Sequence, residues 1–210
     1  MIDLSKFNRV SIGKLFDYAI LPKNTQEKDI INGCKEAIAY NCAAIYSSSP
    51  YWAPVMKKEL AGTDIHIGAA IAFPFGSAPS AVKAFESEFV IKSGCTVLDM
   101  PLNVGALKDK NYKVIEQEFK DFISAASGAV TKIILEVYFL THEEIADACK
   151  LIAEAGIDYA KTSSGQFEGP SMEQFLVMRD TLQETKVKLK VSGVKFPRPQ
   201  NCLCFFNGGG

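Results

Sequence analysis

No stretch of this sequence stays apolar for anything near the roughly 18 residues that a membrane-spanning helix needs. The opening residues, Met1-Ile2-Asp3-Leu4-Ser5-Lys6, lack the basic patch and apolar core of a secretory leader. Neither sign of charge dominates, since 23 Lys and Arg stand against 24 Asp and Glu for a formal net charge of -1. That balance excludes a global basic field that would draw in nucleic acid or an anionic membrane. No linker rich in Gly, Pro or Ser interrupts the chain, so residues 1–210 read as one domain. The six cysteines include no C-x-x-C pair, and only Cys202-Leu-Cys204 stand close together. Most sit among apolar neighbours, which predicts reduced cytosolic thiols and neither disulfides nor a metal site. The protein is therefore expected in the cytoplasm.

What the sequence does have is a regular alternation. Short apolar runs cover Phe16 to Leu21, Ala43 to Tyr46, Ile65 to Ala72, Thr96 to Met100, Lys132 to Val137, Tyr159 to Thr162 and Lys188 to Val191. Their starts lie roughly 22 to 36 residues apart, the length of a βα unit. Apolar residues on consecutive positions suit strands covered on both faces of a parallel sheet.

The stretches between the runs read as helices. Asn24 with Glu27, Thr141 with Glu144 and Ser171 with Gln174 have capping-box spacing. Pro79 suits a first helical turn ahead of Val82, Phe85 and Phe89, and Gly156 suits a stop. Ile30, Ile31, Cys34 and Ile38 follow a helical stripe. Seven such units in series predict an α/β fold, a (β/α)8 TIM barrel, with an open doubly wound sheet as the second topology the pattern allows. No eighth run follows in the sequence, which ends at Phe205-Phe206-Asn207-Gly208-Gly209-Gly210 where a helix should turn into it, so either the sequence is clipped or the barrel is unusual. Such a barrel would keep two unpaired edges.

Catalytic groups of barrels sit at the C-terminal strand ends, which singles out four residues. Lys161 ends the sixth run; there desolvation would lower its pKa and supply the neutral amine that attacks a carbonyl, or it snorkels into solvent. Asp99 lies inside the apolar run Val97-Leu98-Asp99-Met100, where it is a structural ion pair or a catalytic carboxylate. Lys186, Lys188 and Lys190 alternate with apolar residues, so the series points into the barrel if the apolar positions face the helices. Lys190, near the strand end, would then stand close to Lys161 and lower its pKa further. Glu136 is a fourth polar candidate for the barrel mouth. Gly165 and Gly193 follow the sixth and seventh runs, where free backbone N–H groups suit a phosphate, although any turn also favours glycine.

Several segments together resemble one family. They are Phe16-Asp17-Tyr18-Ala19-Ile20-Leu21, Phe73-Pro74-Phe75-Gly76, Leu98-Asp99-Met100-Pro101-Leu102-Asn103-Val104-Gly105-Ala106-Leu107, Lys132-Ile133-Ile134-Leu135-Glu136, Asp158-Tyr159-Ala160-Lys161-Thr162-Ser163-Ser164-Gly165 and Lys190-Val191-Ser192-Gly193. In this order, from about Phe16 to Gly210, they resemble the deoxyribose-phosphate aldolases, a family of Schiff-base-forming class I aldolases. The resemblance implies cleavage of 2-deoxy-D-ribose 5-phosphate to D-glyceraldehyde 3-phosphate and acetaldehyde, in deoxyribose phosphate catabolism. It implies that Lys161 forms the Schiff base, Asp99 relays protons and Lys190 tunes Lys161. Gly165, Gly193, Ser192 and Thr162 would bind the substrate phosphate. No cofactor and no metal are implied, and a homodimer is possible on the family pattern.

The sequence also departs from the family. Tyr18-Ala19 replaces the usual His-Thr or Thr-Thr, Pro22-Lys23 inverts the usual Lys-Pro, Tyr46 stands where a cysteine is common, and Val194 replaces the second glycine of a Gly-Gly pair. A positive φ at Val194 would strain its β-branched side chain. With the phosphate-binding loop of the eighth strand absent as well, phosphate binding is expected to weaken. Two alternatives stay open: a related Schiff-base aldolase for a different aldehyde, or an inactive barrel kept as a binding protein.

Overall fold

The computed structural model describes residues 4–8 and 10–209. Met1, Ile2 and Asp3, part of the opening on which the absence of a leader was read, lie outside the described residues, as does Gly210. The apolar runs become seven strands: β1 (Asp17–Ile20), β2 (Ala44–Ser47), β3 (His66–Ala70), β4 (Val97–Pro101), β5 (Val130–Ile134), β6 (Tyr159–Lys161) and β7 (Lys188–Lys190). They pair in parallel in the order β1-β2-β3-β4-β5-β6-β7. The result is a curled α/β sheet of the TIM-barrel kind, with no eighth strand among the described residues. It is not the doubly wound sheet, in which the strand order would reverse.

Eight α-helices lie along the described chain: α1 (Glu27–Ala39), α2 (Ala53–Glu59), α3 (Ser80–Lys92), α4 (Val104–Lys108), α5 (Tyr112–Ala126), α6 (His142–Ala155), α7 (Met172–Leu182) and α8 (Arg198–Asn207). The main core lies between the outward faces of the strands and these helices, around Ile45, Leu98, Met100, Ile133, Phe119, Phe122 and Ile152. Inside the curl the apolar cluster is small: Ala44, Tyr46 and Val97, with Val130 against it. The two faces of each strand therefore differ, and the inward one is free to carry polar groups.

Three local expectations need correction. α1 starts at a capping box of Gln26 and Asp29, not Asn24 and Glu27. It buries Ala37 and leaves Ile38 exposed. β5 begins two residues before Lys132 and ends at Ile134, because Glu136 takes a left-handed φ of 53° and breaks the strand. In α3, Val82, Phe85 and Phe89 face outward, while Lys83, Ser87 and Val90 are buried. The capping boxes of Thr141 with Glu144 and Ser171 with Gln174 form as expected, and Gly156 closes α6 at φ 82°. All six cysteines are free thiols.

The two edge strands, β1 and β7, share no ladder. Arg198, Cys202, Phe205 and Phe206 of α8 reach the sheet interior, beside residues of both edge strands. Phe206 meets Phe16, just ahead of β1, with ring centroids 5.8 Å apart, while Phe205 packs on Phe175 of α7 at 5.3 Å.

Candidate active site

Strand residues alternate between the two faces of a sheet. Asp17, Tyr46, Asp99, Lys132, Lys161 and Lys190 all line one interior cavity of about 670 Å³. The cavity reaches from Lys14 and His66 at the N-terminal end of the sheet to Ser164, Gly165, Gly193 and Val194 at the C-terminal end. Small interior residues, Ala19, Ala44 and Ala70, leave room for it.

A hydrogen-bonded chain of side chains crosses this space. Lys161 Nζ lies 2.5 Å from Asp99 Oδ2. The Tyr46 hydroxyl donates to Asp99 Oδ1 at 2.7 Å and accepts from Lys132 Nζ at 2.9 Å. Lys132 donates to Asp17 Oδ2 at 2.8 Å, and Lys190 Nζ lies 3.1 Å from the same oxygen. Lys161 thus meets Asp99 directly. Lys190 does not: its carboxylate partner is Asp17, and the route from Lys161 to Lys190 runs through Asp99, Tyr46, Lys132 and Asp17.

Three ammonium groups and two carboxylates share a poorly hydrated space, so each holds the others' charge states. Burial pushes the Asp17 carboxyl up, but Lys190 and Lys132 outweigh it and hold it below its ordinary 3.8. Burial would lower Lys132; Asp99 and Asp17 reverse the sign and raise it. Lys190 ends below the ordinary ammonium value because its burial exceeds the pull of Asp17. Burial, followed by the charges of Asp99 and Asp17, pushes the Tyr46 phenol well above its usual range, so it stays a hydrogen-bond donor.

Glu136 sits beyond β5 and accepts from the backbone N–H of Ser164 at 3.1 Å, bracing the segment that follows Lys161. Burial raises its carboxyl above the ordinary 4.5, despite the Ser164 bonds and Lys161. Thr162 and Ser192 are engaged with each other: the Thr162 hydroxyl accepts from Ser192 N–H at 3.0 Å and donates to the Ser192 carbonyl at 3.2 Å. The Ser192 hydroxyl donates to the Ser163 carbonyl. These bonds tie the segments after β6 and β7 together. Gly165 and Gly193 both have positive φ, 83° and 69°, and their backbones approach closely: a Cβ on Gly193 would stand 3.5 Å from Gly165 Cα. Val194 is not among the residues with positive φ, so the strain that a positive φ would bring there does not arise; the positive φ lies at Gly193, which adopts it freely. Tyr18 faces away from the cavity; its hydroxyl donates to Glu36 of α1 at 2.6 Å. The interior residue of that pair is Ala19, which brings no hydroxyl.

Sequence reasoning gave no role to Tyr46, Lys132 or Asp17. The signal was parity. Parity puts all three on the inward face once register is known: Lys132 pairs with Asp99, Tyr46 with Ala19 and Asp17 with Ala44, all lining the cavity. Among the described residues, no group of three or more His, Cys, Asp or Glu side chains is arranged to hold a metal ion.

A parallel barrel-like sheet that gathers lysines and aspartates in its interior defines an enzyme scaffold. Comparison with known proteins gives the class. The model of the DeoC/LacD family aldolases matches residues 9–195. Deoxyribose-phosphate aldolase 1 of Mesoplasma florum is 36% identical over 187 residues, covering 89% of this chain and 84% of that protein. The deoxyribose-phosphate aldolase of Clostridium tetani is 38% identical over 186 residues, covering 88% of this chain and 85% of that protein. A Coccidioides immitis structure that carries the deoxyribose-phosphate aldolase name provisionally superposes with a TM-score of 0.90 at 28% identity, over 96% of this chain and 80% of that one. The tetrameric deoxyribose phosphate aldolase of Aeropyrum pernix shares the fold, with a TM-score of 0.81 at 23% identity over 90% of this chain and 81% of that one. The chain belongs to the DeoC/LacD family of aldolases.

Proposed function

We propose that this aldolase cleaves 2-deoxy-D-ribose 5-phosphate to D-glyceraldehyde 3-phosphate and acetaldehyde through a Schiff base on Lys161, in deoxyribose phosphate catabolism in the cytoplasm. The observation that carries the reading is the 2.5 Å contact between Lys161 Nζ and Asp99 Oδ2 inside the cavity. In this reading Asp99, within hydrogen-bond reach of Lys161, relays protons to and from the reacting groups.

The amine of Lys161 attacks the C1 aldehyde, and loss of water gives the protonated imine. A base takes the proton of the C3 hydroxyl; the C2–C3 bond then breaks, and its electron pair enters the imine to give an enamine. D-glyceraldehyde 3-phosphate leaves. Protonation of the enamine at C2 and hydrolysis return Lys161 and release acetaldehyde. Asp99 is the carboxylate nearest the reacting nitrogen, and Lys190, through Asp17 and Lys132, completes the polar set behind it. In this reading the phosphate meets the backbone of Gly165 and Gly193, which Thr162 and Ser192 hold together. The covalent lysine needs no cofactor and no metal.

Incubation with deoxyribose 5-phosphate and borohydride tests the assignment. A reduced adduct should appear on Lys161, found by peptide mass mapping, and Lys161→Ala should abolish it. An adduct on another lysine, or trapping by Lys161→Ala, would show the assignment to be wrong.

A further inference from the structure

Tyr46 occupies a singular place in the cavity. It is 4% exposed, and its hydroxyl hydrogen-bonds both Asp99 and Lys132, joining Asp99 to the Lys132–Asp17–Lys190 group more closely than the 3.9 Å ion pair of Lys132 with Asp99. The fold makes space for it. Tyr46 is in register with Gly68 on β3, and a Cβ on Gly68 would lie 2.4 Å from the Tyr46 ring. The ring therefore rests on a bare backbone, with its centroid 5.3 Å from Lys161 Nζ and 5.1 Å from Lys132 Nζ.

We propose that Tyr46 is a positioning residue for the aldol reaction: its hydroxyl holds Asp99 by Oδ1, so that Oδ2 stays aimed at Lys161. This rests on the reading of Lys161 and Asp99 above. A carboxylate is free to turn about its χ2, and Asp99 has two cations within reach. Lys161 stands on one oxygen and Lys132 lies 3.9 Å from the other. Without Tyr46, Lys132 loses its phenol acceptor, and Asp99 Oδ1, 3.9 Å away, is left to accept from it. The carboxylate would then be shared between the two lysines, and its geometry at Lys161 would loosen. With Tyr46 in place, the phenol separates the roles: Lys132 serves Asp17 and the hydroxyl, and Asp99 serves Lys161. The groups that face Asp99 are Lys161 from β6, Lys132 from β5 and Tyr46 from β2. Asp17 of β1, Lys190 of β7, Tyr159 of β6 and Glu136 complete the ionisable surroundings.

Two substitutions push the contact in opposite directions. Tyr46→Phe removes the hydroxyl and keeps the ring. 3-Fluorotyrosine at position 46 keeps ring and hydroxyl but makes the phenol a stronger donor. Tyr46→Phe should lower kcat by about 10- to 100-fold, as a small misplacement of a reacting group does, with KM within about twofold. It should move the acidic limb of the pH–rate profile to higher pH, and fluorotyrosine should move that limb to lower pH. A second readout needs no substrate: the carboxylate stretch of isotope-labelled Asp99, assigned by difference against Asp99→Asn, should shift oppositely in the two variants. A carboxylate stretch and pH profile unmoved in the fluorotyrosine protein, which retains the native shape even if Tyr46→Phe fails to fold, overturn the proposal. If the wild-type protein traps no deoxyribose 5-phosphate, the substrate reading fails, and the infrared shifts still decide the role of Tyr46.

Discussion

Gly169 lets the segments after β6 and β7 close on each other, because an added Cβ would stand 1.9 Å from the carbonyl oxygen of Gly193. Backbone atoms at that distance have to move apart, so Gly169→Ala should displace Gly193 from Gly165. If those two glycines hold the substrate phosphate, the loss is one of uniform binding, felt equally in ground and transition states. KM for deoxyribose 5-phosphate should then rise about tenfold with a smaller fall in kcat. Steady-state kinetics would count against the cradle if KM stayed at the wild-type value. At this scale Lys161 and Lys190 are legible in the sequence, since a lysine ending an apolar run stands out. Asp17, Lys132 and Tyr46 are harder to see. Each looks ordinary in its own run and gains meaning only from partners on other strands, such as Tyr46 and Asp99, 53 residues apart. Val194 shows the reverse, since the composition change lies beside the positive-φ position, Gly193, and not on it.

Among the elements, α3 departs furthest from its sequence pattern. Its apolar residues Val82, Phe85 and Phe89 repeat at helical spacing, yet that stripe faces outward. The rotation follows the partner helix: Lys83, 1% exposed, pairs with Glu118 of α5 at 2.8 Å, and Ser80 donates to Asp121 of α5 at 2.6 Å. Asn103, the cap of α4, lies 3.4 Å from the second oxygen of Glu118. A window of local sequence cannot see a partner 35 residues away. The capping boxes of α6 and α7, by contrast, were legible, because both partners lie within one turn. Removing one partner of a buried ion pair leaves the other charge unpaired, which costs about 3–5 kcal/mol. Glu118→Gln should therefore destabilise the protein by that order. Replacing both partners, Lys83→Met with Glu118→Leu, should recover most of the loss. Urea unfolding checks both, and a single substitution that costs less than about 1 kcal/mol would mean that water or another side chain satisfies Lys83.

Over the whole molecule, two buried carboxyl groups give stability opposite slopes with pH. Asp17 is held below its ordinary 3.8, because Lys190 and Lys132 outweigh its burial. Its contribution is fully present above 3.8 and disappears as pH falls through the depressed folded value. Protonation there leaves Lys132 of β5 and Lys190 of β7 without the carboxylate that they share. Glu136 behaves in the reverse sense. Its folded value is raised above 4.5, chiefly by burial, so the folded state holds the proton more tightly than the unfolded chain. That contribution is present below 4.5 and is lost as pH climbs through the raised value. The two arms place a local stability maximum in the mildly acidic range between them. Each arm should be removable by itself. Asp17→Asn should lower stability at neutral pH and flatten the acid arm. Glu136→Gln keeps an oxygen to accept from Ser164 N–H and takes away the ionisation, so it should flatten the arm above 4.5 and leave the acid arm in place. Unfolding midpoints in urea at half-unit pH steps measure both arms. A Glu136→Gln protein whose stability still falls over the same window would show that another group titrates there.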